Sequence, residues 1–249
     1  MLISPSEIIV QSFKFYKNNW RHLIPYMVLS FLPTIILECL GIMGIYIYAL
    51  IPSLTITHEI VILLVLAATF VFDIWISVAF TRAAKTLLQN EPGGDSWQTL
   101  FNNSSQTIWP AFYTSMLTAL AVLLGLILFV VPGVIFTIWY GFAFNAVALE
   151  NKSGMAALSY SKQLVVGRWW PIFIRLISPI IIFLIIGAIL RYALVDPIAL
   201  LPYNQFSILV VQSILATIIN VLMMPLFYGS GVLLFLSAKA NLLETPPKV

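Results

Sequence analysis

Four ionisable side chains stand inside long apolar runs of this 249-residue sequence: Glu38, Asp73, Arg175 and Arg191. A charge at the centre of a bilayer costs roughly 2.5–3.5 kcal/mol on insertion scales, so such groups usually face the interior of a helix bundle and find partners there. At about 1.5 Å of helix rise per residue, Asp73 and Arg175 lie about 12 and 9 Å from the same membrane surface. We therefore predict that these two pair, directly or through one polar bridge, and that Glu38 and Arg191 lie in the other half of the membrane.

Two interpretations of these charges remain open. In the first, Glu38, Asp73 and Arg175 line a polar pathway for a proton, an ion or a lipid head group. In the second, the charges pair to fix the register of the helices, and Arg175 extends its side chain to the membrane surface. Both predict polar groups inside an apolar bundle, but only the first predicts movement of a solute.

Other constellations that could do chemistry are sparse. The two histidines, His22 and His58, are predicted to lie about a bilayer apart, roughly 30 Å of hydrocarbon, and Cys39 is the single cysteine. The nine acidic residues are scattered, and no glycine-rich phosphate loop, paired-histidine helix or nucleophile elbow is present. The sequence therefore predicts no metal site, no cofactor and no enzymatic activity.

The composition predicts the class of protein in which these charges must be placed. Charged residues make up 8% of the chain and hydrophobic residues 61%, whereas soluble domains carry about 25% charged residues. Apolar runs of 20 residues or so indicate helices rather than barrel strands. We predict an all-α polytopic membrane protein. Its net charge of +3 is too small and scattered to indicate a nucleic-acid partner.

Six transmembrane helices are predicted, near residues 22–50, 60–81, 110–130, 134–149, 170–194 and 206–238. A polar turn over 52–59 and a loop over 90–95 separate the first three. The third and fourth are predicted to join at Val131-Pro132-Gly133. Proline is expected to kink the first helix, and the sixth is long enough to be tilted, or broken near Pro225.

Each pair of spans is preceded by a stretch that predicts an interfacial amphipathic helix, near residues 5–20, 96–109 and 153–167. The first has an apolar stripe of Ile9, Phe13, Tyr16 and Trp20. The stretches share a tryptophan followed closely by proline: SFKFYKNNWRHLIPYM, LFNNSSQTIWPAFYTS and SYSKQLVVGRWWPIFI. We predict a single membrane domain over 1–249, built from three helical hairpins with internal repeats at 1–90, 95–150 and 151–240.

The basic residues predict the orientation of the chain. Of the 12 lysines and arginines, all but Arg191 fall on one side of this layout or within its half of the membrane. Positive charge marks the cytoplasmic side. We expect a multi-pass protein of the cell membrane with both termini in the cytoplasm.

The stretch from Val131 to Trp170 resembles the membrane-domain family named for bacterial glycerophosphoryl diester phosphodiesterases. The similarity lies in a Pro-Gly pair, an aromatic-rich span, a Glu-x-x-x-Gly corner, an Ala-Leu-x-x-Ser helix and a Gly-Arg-x-Trp motif. Here these are Pro132-Gly133, Trp139 to Phe144, Glu150 to Gly154, Ala157 to Ser161, and Gly167-Arg168-Trp169-Trp170. The opening from Glu7 to Trp20 resembles the start of the same family.

The resemblance implies a bacterial multi-span module that is sometimes fused to a soluble phosphodiesterase. We expect no phosphodiesterase domain in this chain, and the family offers no catalytic residue to carry over. The sequence therefore predicts a non-catalytic integral membrane module that interacts with membrane lipids or supports a protein partner or a homo-oligomer. The alternative is a small transporter or channel for an ion, a small solute or a lipid. Glu150 is expected to be a helix-end residue near Lys152 or Arg168.

Overall fold

A computed structural model describes residues 2–89 and 96–244, and these residues contain helices and no strand. The predicted loop over 90–95 lies outside the described residues. The α-helices are α1 (Pro5–Leu50), α2 (Thr55–Gln89), α3 (Trp97–Ser104), α4 (Ile108–Leu128), α5 (Val130–Tyr140), α6 (Ala143–Glu150), α7 (Gly154–Val165), α8 (Trp169–Leu194) and α9 (Gln205–Glu244). Short 3₁₀ helices follow α1, α3 and α8, at Pro52–Leu54, Ser105–Thr107 and Asp196–Leu200.

Within the described residues, six helical segments are long and apolar enough to cross a membrane, which confirms the all-α polytopic class. They are Pro5–Ile45, Thr55–Gln89, Trp97–Leu128, Val130–Glu150, Trp169–Leu200 and Gln205–Leu242. Six crossings bring the start of α1 and the end of α9 to the same side of the bundle. We call this the basic side, because it also holds Arg82, Lys162 and Arg168. The other side, which holds Phe129 and Leu200, is the opposite side.

The first predicted interfacial helix is not a separate element. α1 runs without a break for 46 residues, which at about 1.5 Å per residue is roughly 69 Å, more than twice the hydrocarbon thickness. Its N-cap is Ser4, whose side chain accepts a hydrogen bond from the Glu7 N–H. The buried face contains Ile8 and Phe15, whereas the predicted stripe includes Phe13, which is 41% exposed. The predicted stripe therefore lies about one position away from the face that packs on the protein, which is compatible with an apolar face toward lipid.

The fourth span departs from its prediction in two places. The turn between α4 and α5 lies at Phe129, in extended backbone, and Pro132 lies in the first turn of α5, where proline is well tolerated. Gly133 serves close packing instead of a turn: a Cβ added to Gly125 would lie 3.0 Å from the Gly133 main chain. The span is also interrupted, since α5 ends at Tyr140 and α6 begins at Ala143.

The remaining predictions for short helices and for the last span have mixed outcomes. α3 and α7 are separate short helices, and α7 is followed by Gly167 in the left-handed region, with φ of 77°. The ammonium of Lys162 in α7 lies over the Trp139 ring, 4.2 Å from its centroid. α9 is 40 residues long and continues through Pro225, so the alternative of a break there was wrong.

The buried core lies toward the basic side. Three clusters of buried apolar side chains come from the first half of α1, the second half of α2, the start of α4, the stretch from α5 to the start of α8, and the second half of α9. Their largest members include Phe142, Phe235, Phe80 and Leu23. At the opposite side, the connections between helices are not covered by other parts of the described chain: Phe129 is 77% exposed and Leu200 is 86% exposed.

Candidate functional site

Two of the four intramembrane charges meet in a pocket near the opposite side. Glu38 from α1 and Arg191 from the last turn of α8 line a cavity of about 370 Å³, together with Asp196, which starts the following 3₁₀ helix. Thr217 of α9 is buried and donates from Oγ1 to Glu38 Oε1 at 2.8 Å. This bond fixes one oxygen of the carboxylate, so the placement of the Glu38 side chain is set by α9. We call this cavity the charged pocket.

The charges of this pocket are not neutralised by one another. Within the described residues, neither carboxylate lies within 4 Å of the Arg191 guanidinium. A further wall is formed by Gln212, whose Nε2 donates to the Val195 carbonyl at 3.2 Å. The pocket therefore presents one cation and two anions to whatever enters it.

An apolar pocket continues from the charged pocket along α8 and α9. It has a volume of about 530 Å³, and Arg191 and Ala216 line both cavities. Its walls are mainly apolar, with Phe183, Gly187 and Met223 among them. Both volumes fall in the range of about 300–1,000 Å³ that is typical of small-molecule pockets. We call the two cavities together the α8–α9 groove.

A third cavity, of about 300 Å³, lies where the fourth span is interrupted. It is lined by Gly141 at the break, Asn145 of α6, Arg175 of α8 and Ser230 of α9. Asn145 donates from Nδ2 to the Gly231 carbonyl at 3.4 Å. Non-helical backbone at membrane depth is tolerated only where protein buries it or where it lines a cavity. Gly141 and Phe142 both line this cavity, so the second condition is met.

Ser161 of α7 closes the interruption between α5 and α6. Its Oγ accepts from the Phe142 N–H at 3.0 Å and donates to the Trp139 carbonyl at 2.7 Å. The side chain is fully buried, so no water is needed to satisfy these main-chain groups. The aromatic-rich motif around Trp139 therefore serves packing, with Phe142 buried beside Phe235.

The predicted Asp73–Arg175 pair was wrong. Arg175 donates from Nε to the Ile3 carbonyl at 2.6 Å and from Nη1 to the Pro171 carbonyl at 2.8 Å. α8 packs against α9, α1 and α5, whereas α2 packs against α1, α9 and α3, so α1 and α9 separate the two charges. The side chain of Arg175 extends toward the basic side, as the alternative interpretation required.

Asp73 lies on an exposed part of α2, one turn before Ser77. Ser77 accepts a hydrogen bond of 2.5 Å from the hydroxyl of Tyr228, which also lines the apolar pocket. The bond between Ser77 and Tyr228 places this part of α2 beside α9.

The residues of the Glu-x-x-x-Gly and Gly-Arg-x-Trp motifs make contacts that hold the helices together. Glu150 is the last residue of α6, as the prediction of a helix-end residue requires. Its ion-pair partner is Lys239 of α9, at 2.6 Å. Arg168 donates to Asn241 Oδ1 and to the Leu164 carbonyl. Burial lowers the pKa of the Arg168 guanidinium, although it stays far above neutrality. Trp169 stacks on Phe173, with ring centroids 5.2 Å apart. Together these contacts tie the ends of α6 and α7 and the start of α8 to the end of α9.

Arg82 is the contact-rich residue that sequence reasoning missed. It donates from Nε to the Ala148 carbonyl at 2.9 Å, and from Nη1 and Nη2 to Asn103, Ser104 and Thr107 at 2.8 to 3.4 Å. The guanidinium thus joins α2 to α6 and to the turn before α4. The sequence offers one indication of this role. A lysine would be sufficient as a positive charge that flanks the second span, but the residue is an arginine, whose planar guanidinium has five donors.

His58 lies in the first turn of α2 and is buried, so the predicted polar turn ends before it. Its Nε2 is 3.0 Å from the Leu40 carbonyl and its ring packs on Gly44. Among the described residues, no three His, Cys, Asp or Glu side chains group closely enough to hold a metal ion.

Comparisons of the chain with family models, with curated proteins and with solved structures each found no significant match. The resemblance to the phosphodiesterase-associated membrane domain therefore stays a prediction that rests on the sequence motifs alone.

Proposed function

We propose that this chain is a non-catalytic integral membrane module that holds a membrane lipid in the α8–α9 groove. One observation carries the proposal: a largely apolar cavity between two spans continues into a charged cavity near one membrane surface. A lipid has its chemical groups in the same order, with apolar chains joined to a polar head group. The walls include Phe183 and Met223, and flexible methionine side chains adapt well to chains of variable shape.

Gly187 allows a direct test of the groove. A Cβ added there would have Met223 Cγ as its nearest neighbour, at 4.0 Å, so Gly187→Leu should fit the fold and fill the apolar pocket. The matched control is Gly41→Leu, because a Cβ on Gly41 meets nothing within 4 Å. Native mass spectrometry of the full chain released from membrane-like nanodiscs should show bound phospholipid for the unchanged chain and for the control, and little for Gly187→Leu. Equal retention by both variants would count against a lipid in the groove.

The module is proposed to lie in the cell membrane with its basic side toward the cytoplasm, because lysine and arginine concentrate there. Single cysteines at Tyr203, which is 67% exposed, and at Lys152 should be labelled from opposite sides in a Cys39→Ser background. Labelling of Tyr203→Cys and Lys152→Cys from the same side would overturn the orientation. A co-purifying protein with no retained lipid would favour a partner-supporting module instead.

The interrupted fourth span favours a second candidate, a small transporter or channel. Interrupted helices that line a cavity near the middle of the membrane are typical of transporter binding sites, and the third cavity holds Asn145 and Arg175 beside the break. Flux of an ion, a small solute or a lipid into proteoliposomes that Asn145→Leu abolishes would support this function. Absence of flux together with retained lipid would support the module.

A further inference from the structure

The charges of the α8–α9 groove are arranged in a definite order. Arg191 lines both the apolar and the charged pocket, whereas Glu38 and Asp196 line only the charged one. A molecule that extends from the apolar pocket therefore meets the guanidinium first and the two carboxylates afterwards. A bound lipid should carry its negative group next to its chains and its positive group at the end.

The carboxylates are available to such a ligand. The bond from Thr217 occupies Glu38 Oε1, and a carboxylate has about four acceptor sites on two oxygens. Asp196 is exposed at the start of its 3₁₀ helix. A primary ammonium has three donors and can therefore bond to both carboxylates, whereas a trimethylammonium has none.

Resting on the proposed function, we infer that the groove selects phospholipids of the ethanolamine class. The phosphate lies at Arg191, and the terminal ammonium bonds to Glu38 and Asp196. Choline phospholipids carry the same charges but cannot donate these hydrogen bonds. Glycerol phospholipids are anionic and lack the cation that the two carboxylates require. The selection therefore follows from the number of donors and from the order of the charges.

The test is a competition among three phospholipids with identical acyl chains and ethanolamine, choline or glycerol head groups. The full chain in detergent is titrated with equimolar mixtures, and the bound lipids are quantified by native mass spectrometry. The ethanolamine lipid should exceed the glycerol lipid about tenfold, the ratio that roughly 1.4 kcal/mol produces. Glu38→Gln and Asp196→Asn should each reduce this ratio severalfold. Arg191→Gln should weaken binding of all three.

The outcomes separate this inference from the function on which it rests. Equal binding of the three lipids, all lost in Gly187→Leu, would overturn the head-group selection and leave the lipid-binding groove intact. A preference for the glycerol lipid would also overturn it. Lipid binding that neither Gly187→Leu nor Arg191→Gln alters would overturn both. Thermal unfolding of each variant shows that it is folded, and Glu38→Gln keeps an oxygen for the Thr217 bond.

Discussion

The basic half and the opposite half of the bundle differ in how their polar groups are satisfied. In the basic half, Arg82, Ser161 and Arg175 each bond to main-chain groups of another segment. In the opposite half, Glu38 has one hydroxyl partner and Arg191 has no carboxylate within 4 Å among the described residues.

This difference indicates which half of the bundle provides stability and which half provides groups that can bind a ligand. Polar side chains that bond to the main chain of another segment favour one arrangement of helices, so the basic half serves as the framework. Charges that lie in a pocket without ion-pair partners remain able to bind a ligand. Substitutions should therefore reduce stability in the basic half and alter binding in the opposite half.

The largest effect is expected for Arg82→Ala. It removes hydrogen bonds to four residues on two other segments, and bonds to a charged group contribute about 1.5–3 kcal/mol each. We expect a loss of more than about 3 kcal/mol in the free energy of unfolding, measured by unfolding in mixed micelles. Arg82→Lys should recover only part, because an ammonium cannot match the planar fork. Lys85→Ala, which removes a positive charge at the same end of α2, is the control. Equal losses of stability for the two variants would show that the Arg82 hydrogen bonds do not hold these segments together.

A smaller loss is expected for Ser161→Ala. The substitution leaves the Phe142 N–H and the Trp139 carbonyl without their partner in a dry site, and an unsatisfied buried group costs about 1–3 kcal/mol. Ser159→Ala, on the exposed face of α7, should change stability by no more than about 0.5 kcal/mol. Thermal unfolding in detergent compares the two, and similar midpoints would mean that water satisfies the break.

A smaller loss again is expected for Gly44→Ala in the opposite half. The new Cβ would lie 2.5 Å from His58 Cε1, so the ring must turn and give up its bond to the Leu40 carbonyl, a loss of about 1 kcal/mol. Gly41→Ala has open space and should be neutral or slightly stabilising. In the His58→Ala background, Gly44→Ala should no longer reduce the free energy of unfolding. Additive losses in that double-mutant cycle would contradict the contact.

The smallest effect on stability is expected for Arg191→Gln. No carboxylate partner within 4 Å is lost among the described residues, so the change should stay within about 0.5 kcal/mol. Lys239→Gln is the matched variant of the basic half, since it breaks the pair with Glu150; partly exposed pairs contribute about 0.2–1 kcal/mol. Chemical unfolding in micelles ranks the two, and a larger loss for Arg191→Gln would reverse the assignment of the halves.

The sequence predicted the spans well, because length and apolarity are sufficient for that. The fifth span was predicted over 170–194 and observed as Trp169–Leu194. The sequence did not predict which face of a helix packs against the other helices. Lipid is as apolar as a protein core, so an apolar stripe such as that of Phe13 can face either lipid or protein. The joint position of Glu38 and Arg191 in the half opposite the termini was correct.

The partners of polar residues could not be predicted. Arg82 bonds to a carbonyl 66 residues away, and Arg175 to one 172 residues away, so local spacing contains no trace of either contact. Depth alone suggested the Asp73–Arg175 pair, but two groups at one depth can still be separated by other helices. Similarly, the Pro132-Gly133 pair indicated a turn, although proline also fits the first turn of a helix.

The contact between Ile3, just before α1, and Ser237 of α9 has a consequence for how the protein is made. The Ile3 N–H donates to Ser237 Oγ, 234 residues later, and α1 packs along α9. Synthesis proceeds from the N-terminus, so α1 must remain in the bilayer without its last partner while the other spans are inserted. The cluster around Ile8 and Phe235 can form only when α9 arrives, so this part of the framework assembles after the five earlier spans have been inserted.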